Sequence, residues 1–75
     1  MHHIEKLTID ENNITFVVEG KIIQMALDIV SPKLKFASAV ERNFYKISPS
    51  GYGIHWPLID EDLSIDALLK FTHNK

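Results

Sequence analysis

The sequence of 75 residues contains no cysteine. Disulfide staples, cysteine-ligated zinc and thiol nucleophiles are therefore excluded. Glycine and proline are scarce, three of each, and no low-complexity tract is present. Charge of either sign is also limited. Eight basic residues face ten acidic ones, for a net charge of −2. Nucleic-acid modules carry a stronger cationic bias, because phosphate neutralisation supplies most of their affinity. No apolar run approaches the roughly 18 residues that span a bilayer. The N-terminus, MHHIEKL, lacks the charged-then-apolar order of a signal peptide. A cytoplasmic location is the expectation. His2 and His3 are too few to be read as a tag and make a poor metal site at a chain end.

What is present is enough apolar material, 45%, for one small globular domain spanning residues 1–75 with a core over about residues 4–70. A chain this short buries only about 60% of the surface exposed when unfolded, so a well-packed core or a partner subunit must supply its stability. The charge is unevenly placed. Residues 1–30 carry net −3, residues 31–58 net +3 and residues 59–75 net −2.

Two period-two patterns open the chain. Ile14, Phe16 and Val18 alternate with Thr15 and Val17, and Ile23, Met25, Leu27 and Ile29 alternate with Gln24, Ala26 and Asp28. Glu19-Gly20 between them suits a two-residue hairpin turn. If Val18 pairs with Lys21, Phe16 faces Ile23 and Ile14 faces Met25, so both apolar sets share one side of the sheet. Leu7 and Ile9 alternate upstream, with Ile4 out of parity as at a bulge. Asp10 to Asn13 reads as a turn in which Asn takes the left-handed region. A three-stranded meander over about residues 3–30 follows.

Ser31-Pro32 is a helix start, with Ser as cap and Pro at the first helical position. Leu34, Phe36, Ala37 and Val40 give an apolar stripe from Ser31 to about Arg42, and Asn43 is a left-handed stop. Phe44 to Ser48 is rich in strand formers. Pro49-Ser50-Gly51 is a hairpin loop with Gly last. Tyr52, Ile54 and Trp56 then share one strand face, and Pro57 ends the strand. Asp60 to Asp62 reads as a polar loop. Ser64 caps a second helix, with Leu63 and Leu68 at hydrophobic-staple positions and Asp66 near its positive end; Thr72 to Lys75 fray. The order β-β-β-α-β-β-α predicts an α+β fold, a mainly antiparallel sheet covered by two short helices.

Few constellations carry chemistry. Asp60, Glu61, Asp62 and Asp66 superficially resemble a calcium loop. Counted from Asp60, however, Ile65 and Phe71 stand where that loop needs glycine and glutamate. His55 has only Ser48, Ser50 and Tyr52 as nearby hydroxyls, with no nucleophile elbow. Gly51-x-Gly53 lies in a hairpin and cradles no phosphate, so no cofactor is expected. Tyr52 and Trp56 could stack a base, though such a stripe is more often core. Binding residues are unassigned, and the weak candidates are Tyr52, His55, Trp56, Asp60 and Asp62.

Trp56-Pro57-Leu58-Ile59-Asp60-Glu61-Asp62-Leu63-Ser64-Ile65-Asp66-Ala67-Leu68-Leu69, read as W-P-x-x-D-x-D-L-S-x-D-x-L-L, resembles the C-terminal signature of a small bacterial family titled "domain of unknown function 2442". The resemblance extends over about residues 4–70 and implies an α+β fold. It also implies an encoding beside another small protein, in pairs like toxin–antitoxin modules. Some members carry an appended helix-turn-helix, for which the sequence as far as Lys75 leaves no residues, so DNA binding is not expected. The family brings no catalytic residues to carry over.

The leading expectation is a non-enzymatic interaction domain, antitoxin-like, with a neighbouring gene product or a second copy as partner. A second reading is a weak nucleic-acid or regulatory module using Lys33, Lys35, Arg42, Lys46 and Tyr52. A third is a metal-assisted hydrolase using His55, Asp60 and Asp62.

Overall fold

Glu19 and Gly20 both take positive φ, 53° and 79°, the pairing that a type I′ turn requires. That turn joins β2 (Asn13–Val18) to β3 (Lys21–Ala26) in the register expected from the pattern: Val18 opposite Lys21, Phe16 opposite Ile23, Ile14 opposite Met25. β1 (Ile4–Ile9) adds antiparallel to β2, and its register slips between Ile4 and Lys6, the bulge that the broken parity of Ile4 signals. The chain is described by a computed structural model covering residues 4–73, with side chains through residue 70. His2, His3, Asn74 and Lys75 lie outside the described residues.

The β1–β2 turn is made differently from the expectation. Neither Asn12 nor Asn13 is left-handed. Instead the Asp10 carboxylate accepts the backbone N–H groups of Asn12 and Asn13 at 2.8 and 2.7 Å, an Asx-type turn. β3 ends at Ala26 rather than near Ile29. Leu27 to Val30 form a single helical turn, α1, which buries Leu27 and leaves Ile29 65% exposed. Leu27 N–H donates to Asn12 O at 2.8 Å, a last rung of the β2–β3 pairing before the helical turn.

The helix predicted over residues 31–42 is two short pieces. Ser31 caps α2 (Pro32–Lys35), accepting from Leu34 N–H, with Pro32 at the first helical position. Ser38 then opens α3 (Ala39–Asn43) with a reciprocal capping box to Glu41. A second cap inside the stretch restarts the helix, so the apolar period does not carry through. Leu34 is fully buried, whereas Phe36 and Val40 are 86% and 73% exposed. Asn43 is not left-handed. It closes α3 by donating its side-chain amide to Ala39 O at 2.8 Å.

A second antiparallel sheet contains β4 (Lys46–Ile47), β5 (Gly53–Trp56) and β6 (Glu61–Ser64), in that spatial order. The β4–β5 loop has Gly51 at φ 79°, as a bulge-type hairpin wants. Glu61 to Ser64, expected as loop and cap, is a strand paired with β5, Trp56 opposite Glu61 and Ile54 opposite Leu63. Pro57 ends β5, and Asp60 at φ 53° ends the connecting turn. Ser64 doubles as last strand residue and cap of α4 (Ile65–His73), accepting from Ala67 N–H at 3.0 Å. This helix continues through Thr72 and His73 rather than stopping before them.

One core joins the two sheets. Ile14, Phe16 and Val18 meet Leu27, Leu34, Ile54, Trp56, Ile65 and Leu68. Leu63 packs against this cluster. Ile4 N–H donates to Gly51 O, and the Tyr45 hydroxyl to Leu7 O, each at 3.3 Å, so the sheets are also tied at their margins. The result is the α+β fold that the element order implies.

Candidate functional site

Strand alternation sorts the second sheet into two faces. Ile54 and Trp56 point into the core and are 2% and 0% exposed. The opposite face carries a cross-strand row, Lys46 beside His55 beside Asp62, and below it Gly53 beside Ser64. His55 Nδ1 and Asp62 Oδ1 are 2.7 Å apart. A carboxylate only accepts, so the imidazole donates from Nδ1 and leaves Nε2 for another group. Among the described residues no serine or tyrosine hydroxyl is hydrogen-bonded to this imidazole, so the pair lacks the nucleophile that a hydrolytic triad needs.

Ser48 organises the loop beside the row. Its Oγ accepts the N–H groups of Tyr52 and Gly53 at 3.2 and 3.1 Å and bonds Ser50 Oγ at 3.1 Å. Together the row, the Ser48 loop and the first turn of α4 border a groove of about 830 Å³.

The acids occupy separate positions. Glu61 accepts the hydroxyl proton of buried Ser31, thirty residues away, through Oε2, and the Asp62 N–H through Oε1. Asp60 offers its carbonyl to Lys33 Nζ at 3.2 Å. Asp62 serves His55. Among the described residues no three histidine, aspartate or glutamate side chains gather at metal-binding distance. The run that resembled a cation loop is divided among a turn, a latch to α2 and a cross-strand pair.

Trp56 cannot stack a base from its position. Its ring is fully buried, tilted 52° to Tyr45 with centroids 6.0 Å apart, and its indole N–H donates to Arg42 O at 2.8 Å. Tyr52 leaves the face shared by Ile54 and Trp56. It lies before β5 in the turn and is 37% exposed. The basic set is likewise dispersed. Arg42 is buried, donating to Ala37 O, and Lys35 is turned toward Glu11 O and Asn12 Oδ1. The His55–Asp62 pair and the Ser31–Glu61 latch escape sequence reading because both depend on β6, which reads as a loop. Only the register of β6 reveals them.

A different surface is apolar. Phe36, which closes α2, Val40 within α3, and Phe44, which closes α3, are 86%, 73% and 50% exposed.

A search of the curated proteins found no match to the chain. Among solved structures, a protein of unknown function from Rhodospirillum rubrum ATCC 11170 is similar, with a TM-score of 0.77 and 24% sequence identity over 95% of this chain and 88% of that one. At that identity the likeness speaks to the fold. The family profile described as "Protein of unknown function (DUF2442)" matches residues 4–74, and the chain belongs to that family.

Proposed function

We propose that the chain is a non-enzymatic interaction domain, the antitoxin-like member of a two-protein pair, acting in the cytoplasm. The observation that carries this reading is the exposed Phe36, Val40 and Phe44 series. Single exposed apolar residues are ordinary, but three large ones within residues 36–44 concentrate apolar surface that a protein contact would bury. Its placement is built by local sequence. The Ser38 capping box restarts the helix and turns Val40 outward, although Phe36 and Val40 have the spacing of a core stripe. The family's paired gene arrangement, implied by the Trp56 to Leu69 signature, supplies the kind of partner: a small protein encoded alongside.

Co-expression with the neighbouring gene product, one protein tagged, tests this reading. A stoichiometric complex that survives size-exclusion chromatography is expected. Recovery of this chain only as monomer or self-dimer would count against it.

A further inference from the structure

The outer face of the second sheet holds a site independent of the apolar segment on α3. Gly53 lies between β4 and β6 without a side chain, directly across from Ser64, and forms a dip in the sheet floor. Lys46 and His55 stand at one end of this dip, and Pro49 and Ala67 add apolar surface. The volume, about 830 Å³, falls in the range of small-molecule sites.

The charges in this groove are unequal in what they have left to offer. Asp62 is engaged by His55 Nδ1, which also fixes the ring upright as a wall of the groove. The Lys46 ammonium has no hydrogen-bond or ion-pair partner among the described residues, so the groove keeps one cation with free donors beside apolar surface. From this the geometry points to a binding site for a small organic anion, a carboxylate or phosphate monoester with a short apolar body. The anionic group pairs with Lys46. The body lies over Gly53 between Pro49 and Ala67. A charged hydrogen bond to Lys46 gives orientation, and the apolar floor gives most of the contact area.

The site can be tested without disturbing the core. A Cβ added at Gly53 would meet only Leu63 O at 3.7 Å and Ser48 Oγ at 4.0 Å, ordinary contact distances, so Gly53→Ala and Gly53→Val fill the dip rather than break the strand. Two-dimensional amide NMR of the folded chain, titrated with hexanoate and with phenyl phosphate, reads the outcome. Saturable shifts centred on Gly53, His55 and Ser64 are expected for at least one probe, and the tighter of the two identifies the anionic group. Dissociation constants of about 1 mM or lower are expected. Lys46→Gln should weaken binding about tenfold, equivalent to ~1.4 kcal/mol, and Gly53→Val should do the same by occupation. Hexanamide, with the same body and no charge, should bind no better than the Lys46→Gln protein binds hexanoate. Three results overturn the site: no saturable shifts with either anion, shifts centred elsewhere, or equal binding by wild type and Lys46→Gln. Because Lys46 is exposed, the last comparison holds even if a Gly53 variant unfolds.

Discussion

Trp56 shows how one residue can be both hydrophobic anchor and polar tie. Its ring fills the space between the two sheets, and its N–H satisfies the buried carbonyl of Arg42. Trp56→Phe keeps an aromatic ring but strands that carbonyl, and should cost about 1–3 kcal/mol in urea unfolding followed by far-UV circular dichroism. Ser31 holds a comparable double position, capping α2 and bonding Glu61. A double-mutant cycle of Ser31→Ala and Glu61→Gln should return a coupling of about 0.5–3 kcal/mol, whereas strict additivity would mean that the latch contributes nothing. Asp10 gives a pH-dependent case. The backbone N–H groups of Asn12 and Asn13 hold its carboxyl below the usual value of 3.8. A group lowered on folding stabilises the fold above its unfolded value, and that contribution disappears as the pH falls through the folded value. Wild type should therefore melt higher than Asp10→Ala at neutral pH, and the two melting temperatures should converge as the pH drops below about 4.

At the scale of elements, the first hairpin is the most legible part of the molecule, because turn chemistry and alternation agree. Gly20 at φ 79° has no atom within 4 Å of a built Cβ, so Gly20→Ala isolates the backbone cost of the left-handed region. A loss of about 1–2 kcal/mol is expected in denaturant titration. The helix over residues 31–42 was half legible. Ser31-Pro32 announces its start, but Ser38-x-x-Glu41 is a second start within the same apolar period, and a local cap prevails over periodicity. β6 was not legible. Glu61-Asp62-Leu63-Ser64 has poor strand propensity, and its pairing with β5 decides its form. The candidate site shares that obscurity. Asp62 joins Lys46 and His55 only through the strand that sequence reading misses.

For the whole molecule, two three-stranded sheets share one thin core, in a body about 29 × 29 × 16 Å. So thin a body leaves much of its apolar content outside, Phe36, Val40 and Phe44 among it. None of the described helices is long and apolar enough to cross a membrane. Val40 is 73% exposed in the middle of the series, and replacing it by aspartate leaves the core contacts intact. The most direct test is therefore the dissociation constant for the co-purified neighbouring protein, measured by titration calorimetry with wild type and with Val40→Asp. A loss of affinity of about tenfold or more, at least ~1.4 kcal/mol, is predicted, with an unchanged melting temperature for the isolated variant. Equal dissociation constants for the two proteins would contradict the account.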